Sequence, residues 1–287
     1  MTDPKFFLES FDQRREEYRT NLELCRAEFS EKAVHDLRVA TRRLLAVIEI
    51  SRNLLPGRAY QKLRRKLKEQ LDGFDDLRDV QVMLLSVSAN LEELPDLARF
   101  HSYLQKREQR LLLAAQKQVA GIKVDGLQRG MDKIHARLAE IPPAGLPTRV
   151  LNAVDKAYRT VKRRFGWMDP DEPASIHSVR VAFKKFRYML ECAQPALNGF
   201  PQAQFKRMHD YQTYMGNIQD AEILLNTLAR FEKRHAKLKL DQAGHFYEAH
   251  YSHVLSTYLD NKAELVSFWR ANPDAQQPWM TKLKQEV

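Results

Sequence analysis

Apolar positions recur with a helical period along almost the whole chain. No stretch alternates apolar and polar residues between hairpin-type turns, as a strand of an antiparallel sheet does. The predicted fold class is therefore all-α. In the first half the pattern predicts helices over 4–28, 31–53, 58–89, 95–120 and 124–140. In the second half it predicts helices over 148–166, 173–194, 201–235 and 241–271.

One short segment interrupts this periodicity near the middle of the chain. Residues 141–147 read IPPAGLP, in which three prolines and a glycine disfavour any regular element. The segment is predicted to be a linker. It divides a single domain into an N-terminal helical bundle, residues 1–140, and a C-terminal helical bundle, residues 148–287.

The two halves carry an internal repeat. Residues 34–45 read VHDLRVATRRLL and residues 176–187 read IHSVRVAFKKFR, an offset of 177 − 35 = 142 residues. Further on, LRDVQVMLLSV (77–87) aligns with IQDAEILLNTL (218–228), which places Asp79 opposite Asp220. A repeat of this length is too long for a solenoid unit. It favours a duplication in which two antiparallel four-helix bundles are related by a pseudo-two-fold axis.

On a helical wheel, each copy of the repeated helix has one apolar stripe and one cationic stripe. The apolar stripes contain Val34, Leu37, Thr41, Leu44 and Ile48 in the first copy and Ile176, Val179, Phe183, Phe186 and Leu190 in the second. The cationic stripes contain His35, Arg38 and Arg42, flanked by Arg43, and His177, Arg180 and Lys184, flanked by Lys185. Cations on one helix face repel each other. The stripes therefore predict an anionic partner, and phosphate fits because Arg binds it in bidentate fashion and Lys as a point charge.

The alternative for these stripes is structural pairing within the protein. Asp79 and Asp220 recur at equivalent places and could form ion pairs with Arg38 and Arg180. Pairing one arginine with one aspartate would still leave most of the positive charge uncompensated. Anion binding is therefore the favoured interpretation for the duplicated stripe as a whole.

The overall charge agrees with an anionic partner. The chain has 47 Lys and Arg against 37 Asp and Glu, a net charge of +10, which suits nucleic acid, an acidic membrane surface or a phosphorylated molecule or polymer. Cys25 and Cys192 lack metal-site spacing and are predicted to be buried free thiols. The chain shows neither an apolar N-terminal leader nor an apolar run of membrane-spanning length. A cytoplasmic protein without a membrane partner is expected.

The two His-x-x-Arg-Val-Ala helices, each followed by a dibasic pair, resemble the CHAD domain, the "conserved histidine α-helical domain". The two aspartate segments fit the same family, and the resemblance covers roughly residues 1–270. It implies two antiparallel four-helix bundles with a basic groove or pore between them. It also implies binding of inorganic polyphosphate, association with polyphosphate granules, and a triphosphate-tunnel (CYTH-type) enzyme as a partner.

The resemblance assigns residues of both repeats to the basic channel. One side would be lined by His35, Arg38, Arg42 and Arg43, and the other by His177, Arg180, Lys184 and Lys185. Arg187 fits the second motif, whereas the first copy has Leu45 there. Secondary basic candidates on other helices are Arg64, Arg65, Lys68, Arg159, Lys162, Arg163, Arg164, Lys206, Arg207 and His209.

An enzyme is the first rival interpretation. The sequence has no Gly-rich phosphate loop and no Glu-x-Glu-x-Lys strand of the triphosphate-tunnel type. Only one Glu-x-x-His pair occurs, Glu232 with His235, and a di-iron bundle needs two. The histidines of HFYEAHYSH (245–253) do not share a helix face. The prediction is a binding protein with no catalytic residues, metal or cofactor.

Two further alternatives stay open. Nucleic acid could bind, but few aromatic residues interleave with the cations for base stacking, so such binding would be nonspecific. The chain could also be an accessory or regulatory subunit of an enzyme that processes polyphosphate or triphosphate.

Overall fold

The computed structural model of the protein describes residues 5–55, 59–197 and 199–278. These residues form ten α-helices and three short 3-10 helices, with no β-strand among them, which confirms the all-α prediction. The α-helices are α1 (Phe6–Ala27), α2 (Glu31–Leu54), α3 (Ala59–Asp72), α4 (Asp75–Ala89), α5 (Ala98–Ala120), α6 (Val124–Ala139), α7 (Leu146–Gly166), α8 (Pro173–Ala193), α9 (Gln202–Arg234) and α10 (Asp241–Asn261). The 3-10 helices span Pro95–Leu97, Gln194–Ala196 and Lys262–Ser267.

The predicted helix over 58–89 is wrong, because two helices occupy this range. The chain breaks at Gly73, where a Cβ atom would lie 2.1 Å from Oε1 of Gln118 on α5. The Gln118 amide fills this space and donates from Nε2 to the carbonyl of Gln70. Asp75 and Asp76 then occupy the first turn of α4, where the helix dipole favours negative charge.

The predicted helix over 241–271 is also too long. α10 ends at Asn261, and the chain tightens into a 3-10 helix over Lys262–Ser267. Phe268 and Trp269, which follow, are fully buried in the core. The Trp269 indole donates to Asp155 on α7 at 2.6 Å. Continued α-helix would have carried these two aromatic side chains to other positions.

The two repeated helices are placed as their apolar stripes predict. All ten stripe residues, from Val34 to Ile48 and from Ile176 to Leu190, are buried, which confirms this prediction. Ser30 caps α2 by accepting a hydrogen bond from the Ala33 amide, and Pro173 begins α8, where its missing N–H costs nothing. α2 packs against α1 and α8 against α7, and α2 and α8 pack against each other. Their cationic stripes consequently lie close together.

The hydrophobic core forms two clusters, and each contains residues from both sides of segment 141–147. The larger cluster includes Phe11 and Ile48 together with Phe186. The smaller one joins α4 and α5 to α9 and α10, for example through Val80 and Leu224. α4 and α9, which carry the repeated aspartate segments, therefore face each other. The division at 141–147 and the pseudo-two-fold axis stay predictions.

Two other expectations concern the environment of the chain. Cys25 and Cys192 are buried and free, as predicted. Over the described ranges, no helix is both long enough and apolar enough to cross a bilayer.

Candidate functional site

α2 and α8 bring four cations into one group, which we call the cationic cluster: Arg38, Arg42, Arg180 and Lys184. Burial and, in decreasing order of effect, the charges of Arg42, Arg180 and Arg38 together lower the pKa of Lys184 to about 6. Each repeat thus supplies two members. The four residues that carried the sequence argument are neighbours in the structure.

The cluster is poorly solvated and poorly neutralised. The Arg38 side chain is only 6% exposed, and burial followed by the charge of Arg42 lowers its pKa to about 10. Asp75 on α4 accepts a hydrogen bond from Arg38 Nη2 at 2.9 Å. Burial also lowers the pKa values of Arg42 and Arg180. Concentrating desolvated positive charge in this way costs stability unless negative charge arrives from outside.

Two guanidinium nitrogens of the cluster have no acceptor. Arg38 Nη1 and Arg180 Nε are buried, and neither has a hydrogen-bond partner. A buried N–H that lacks a partner costs about 1–3 kcal/mol, and more when it is charged. Most buried polar groups in folded proteins are satisfied, so these two atoms call for an explanation. An anion with several oxygens, bound in the cluster, would supply the missing acceptors.

A fifth cation, Arg78 on α4, was not predicted as a site residue. Its Nη2 donates to Asp220 Oδ2 at 2.7 Å across the α4–α9 interface, and its Nη1 donates to Asp79 Oδ1 at 3.2 Å. Arg78 Nη1 also donates to the second oxygen of Asp220. The alternative that Asp79 pairs with Arg38 and Asp220 with Arg180 is therefore not what the structure shows. Arg78 engages both carboxylates, and the charge of Asp220 still opposes the effect of burial on the pKa of Arg180.

The two histidines have different surroundings. His177 Nδ1 donates to Gln219 Oε1 at 2.5 Å, and the same oxygen accepts from Arg180 Nη1 at 3.0 Å. Gln219 thus fixes the orientation of both side chains. His35 is exposed and forms no hydrogen bond or ion pair with any residue that the structure describes. The duplication has preserved the histidine but not its contacts.

Arg43 and Lys185 form what we call the reciprocal ion pairs. Arg43 Nε of α2 lies 3.3 Å from Glu191 Oε2 of α8, and Lys185 Nζ of α8 lies 2.8 Å from Glu49 Oε1 of α2. Lys185 follows Arg43 by 185 − 43 = 142 residues, and Glu191 follows Glu49 by 191 − 49 = 142 residues, which is the offset of the internal repeat. Equivalent positions thus exchange partners, which is the pattern that a two-fold axis produces locally. Both cations are already neutralised.

Arg187, the extra cation of the second motif, is also committed to structural contacts. It is buried, donates to Gln212 Oε1 at 3.2 Å and lies 3.3 Å from Glu191. Its guanidinium carbon sits 4.7 Å from the centre of the Tyr188 ring. This position reinforces the junction of α8 with α9.

The secondary candidates lie outside the cationic cluster, and most are paired. Arg64 lies 3.2 Å from Glu49, and Arg207 lies 2.7 Å from Glu264. The exposed side chains Arg65, Lys68, Lys206 and His209 lie within ion-pair distance of Glu69, Asp72, Asp210 and Asp210, respectively.

The candidates of α7 make different contacts. Lys162 and Arg164 donate to backbone carbonyls, Arg163 stacks over the Trp167 ring, and Arg159 is exposed. Throughout 5–55, 59–197 and 199–278, no three metal-ligating side chains converge.

Comparisons with known proteins point to one family. The family model of the CHAD domain matches residues 9–229. The crystal structure of the CHAD domain from the plant Ricinus communis is similar with a TM-score of 0.63, over 92% of this chain and 89% of that chain, at 19% sequence identity. At this identity the likeness concerns the fold. No curated protein matches the chain.

Proposed function

Because the chain belongs to the CHAD family, whose domain is associated with polyphosphate and phosphate, we propose that it binds inorganic polyphosphate at the cationic cluster. The family assignment confirms the resemblance that the two histidine helices suggested. The ligand and the residues that hold it are the proposal.

One observation carries this proposal above the others. Arg38 and Arg180, which come from different repeats and belong to a cluster with excess positive charge, each have a buried N–H without an acceptor. A polyphosphate chain carries about one negative charge per phosphate, has free oxygens on every phosphate, and has no bases that would need aromatic partners. Guanidinium groups bind such oxygens through paired, charge-assisted hydrogen bonds.

The neighbouring groups support this arrangement without contacting the ligand. Arg78 holds Asp79 and Asp220 together, and neither carboxylate is hydrogen-bonded to Arg180. Arg43 and Lys185 tie α2 to α8 through the reciprocal ion pairs and keep the two cationic stripes facing each other. We assign Arg43 and Lys185 to the support of the cluster.

We propose that the domain binds polyphosphate without hydrolysing it. The nearest carboxylate, Asp75, is hydrogen-bonded to Arg38, and Asp79 and Asp220 are engaged by Arg78, so all three are poorly placed to activate a water. Location at polyphosphate granules in the cytoplasm and partnership with a triphosphate-tunnel (CYTH-type) enzyme are further proposals from the family resemblance. Phosphate release from polyphosphate incubated with the protein and Mg²⁺ would contradict a purely binding role.

The proposed function is tested by titrating long-chain polyphosphate at several salt concentrations. The logarithm of the affinity should fall linearly with the logarithm of the salt concentration, because bound phosphates release counterions. Single-stranded DNA serves as a competitor with similar charge per unit. DNA that binds as tightly as polyphosphate would contradict the proposed preference, and undetectable polyphosphate binding at low salt would contradict the function itself.

A further inference from the structure

Lys184 has the least compensated charge in the cationic cluster. It lies on α8 and is partly buried, and it forms no hydrogen bond or ion pair with a residue of the described ranges. Arg42 and Arg38 of α2 and Arg180 of its own helix are the charges that act on it most strongly. An ammonium group at this position is therefore repelled by three guanidinium groups and has no ion-pair partner.

The carboxylates around the cluster do not change this balance. Asp75 of α4 favours the protonated form of Lys184, but its effect is the weakest of the named charges, and it is hydrogen-bonded to Arg38. Asp79 of α4 and Asp220 of α9 are both engaged by Arg78.

The other helices that pack against α8 contribute no free negative charge to Lys184. On α9, Gln219 is neutral and accepts hydrogen bonds from His177 and Arg180. On α7, Arg164 donates to the carbonyl of Ser178.

The groups around the C-terminal part of α8 also contribute no free negative charge to Lys184. On α1, Arg14 is paired with Glu17. The 3-10 helix Gln194–Ala196 has no titratable residue. On α8 itself, Arg187 is paired with Glu191.

The empty site therefore favours the neutral amine. Burial, followed by the charges of Arg42 and Arg180, lowers the pKa of Lys184 to about 6. At neutral pH most molecules with an empty site then carry an uncharged Lys184. Phosphate oxygens in the cluster would reverse the balance, because negative charge nearby favours the ammonium form.

Resting on the proposed function, we propose that polyphosphate capture is coupled to the uptake of a proton at Lys184 Nζ, so that the domain binds polyphosphate more tightly as the pH falls through the neutral range. The proton comes from the solvent and adds to the lone pair of the amine. No other bond forms or breaks. The site would thus capture polyphosphate on acidification and release it on alkalinisation.

The sign and size of the effect follow from linkage. The pKa of Lys184 is low in the empty site and higher in the occupied one, so binding takes up protons at any pH between the two values. Between these values the affinity falls by up to about tenfold for each unit that the pH rises. Above both values the dependence on Lys184 ends, because the amine is then neutral in either state.

The test uses the full chain and long-chain polyphosphate, whose few chain ends contribute little titration of their own. Affinity is measured from pH 6 to pH 8.5. Calorimetry at pH 7.5 in two buffers with different ionisation enthalpies gives the number of protons taken up. The matched variant is Lys184→Arg, which keeps the positive charge, does not titrate in this range and leaves both histidines in place. Thermal melting of each protein checks that it is folded.

The wild-type protein should take up close to one proton more per site than Lys184→Arg, and its affinity should fall more steeply with pH. Lys184→Met, which cannot be protonated, should bind weakly at every pH and take up fewer protons than the wild type. Equal proton uptake and equal pH dependence in the wild type and Lys184→Arg would overturn the coupling while leaving polyphosphate binding intact. Absence of binding at every pH would instead refute the proposed function.

Discussion

The cationic cluster and the reciprocal ion pairs lie on the same two helices, and their residues are neighbours in sequence. Arg42 and Lys184 form no ion pair with a described residue, whereas Arg43 and Lys185, one position further on, pair with Glu191 and Glu49. One residue along a helix is a rotation of about 100°. That rotation separates a cation without an ion-pair partner from a cation that joins two helices. The charge of a dibasic pair therefore says little about function until the carboxylates within reach are known.

The two regions should also affect stability in opposite directions. The pKa of Lys184 is about 6 in the folded protein and near its ordinary, higher value in the unfolded chain. The unfolded chain binds more protons between these values, so this group destabilises the folded protein most at low pH, and stability rises as the pH rises. The reciprocal ion pairs stabilise the fold. The cationic cluster thus lowers the stability of the domain, and the reciprocal ion pairs raise it.

The largest expected effect comes from neutralising the cluster. Arg42→Gln with Arg180→Gln should remove two charge-assisted interactions with phosphate, each worth about 1.5–3 kcal/mol, and so weaken polyphosphate binding about 100-fold or more. Arg43→Gln with Lys185→Gln removes the same net charge from the reciprocal ion pairs and should weaken binding by less than about fivefold through long-range electrostatics alone. Fluorescence anisotropy measures the polyphosphate affinity of both double variants. Equal losses in the two double variants would erase the distinction between the regions.

A second effect should appear in stability instead of binding. Glu49 is buried and accepts from Lys185, Arg52 and Arg64, so Glu49→Gln should lower the free energy of unfolding by about 2–4 kcal/mol. Polyphosphate affinity should be unchanged or higher, because one negative charge is lost. Denaturant melts and polyphosphate titrations of the same variant separate the two outcomes. A Glu49→Gln protein of wild-type stability would show that the reciprocal ion pairs do not hold α2 and α8 together.

The contribution of Glu49 should also depend on pH. Burial alone would raise the pKa of Glu49, but the hydrogen bond and charge of Lys185 hold it below its usual value. The stabilisation is then present above the ordinary pKa of a glutamate and is lost as the pH falls through the folded-state value. The difference in stability between the wild type and Glu49→Gln should therefore shrink in acid. A difference that grows on acidification would contradict this sign.

The smallest expected effect distinguishes the two histidines. His177→Ala removes the hydrogen bond to Gln219 that helps to position Arg180, and the loss of about 1 kcal/mol should weaken polyphosphate binding about fivefold. His35→Ala should change the affinity by less than about twofold, because His35 is exposed and lacks such a contact within the described part of the chain. Titration with polyphosphate compares the affinities of His177→Ala and His35→Ala. A larger effect at His35 would indicate that the ligand contacts the first repeat more closely than the second.

The sequence was sufficient for those features that depend on local pattern. Helical periodicity located the stripes that include Leu37 and Phe183, because burial of an apolar residue needs only the right face of a helix. The internal repeat then singled out Arg38, Arg42, Arg180 and Lys184 as members of two equivalent stripes. Their approach follows from the contact between α2 and α8, which the apolar stripes help to create.

Features that depend on contacts between distant helices could not be found in this way. The role of Arg78 depends on the α4–α9 interface, where it meets Asp220, 142 residues away. Alignment showed that Asp79 and Asp220 are equivalent but not which cation reaches them. The break at Gly73 depends on Gln118 of α5, and the end of α10 on the burial of Trp269. A one-dimensional pattern contains none of these distances.

The most direct measurement of the central claim is a crystal structure of the domain with bound polyphosphate. Phosphate oxygens are predicted within hydrogen-bond distance of Arg38 Nη1 and Arg180 Nε, the two buried nitrogens without a partner. Arg43 and Lys185 should keep their ion pairs with Glu191 and Glu49. A polyphosphate chain bound to Arg43, Lys185 or the surface cations, with Arg38 Nη1 and Arg180 Nε still without an acceptor, would contradict the account.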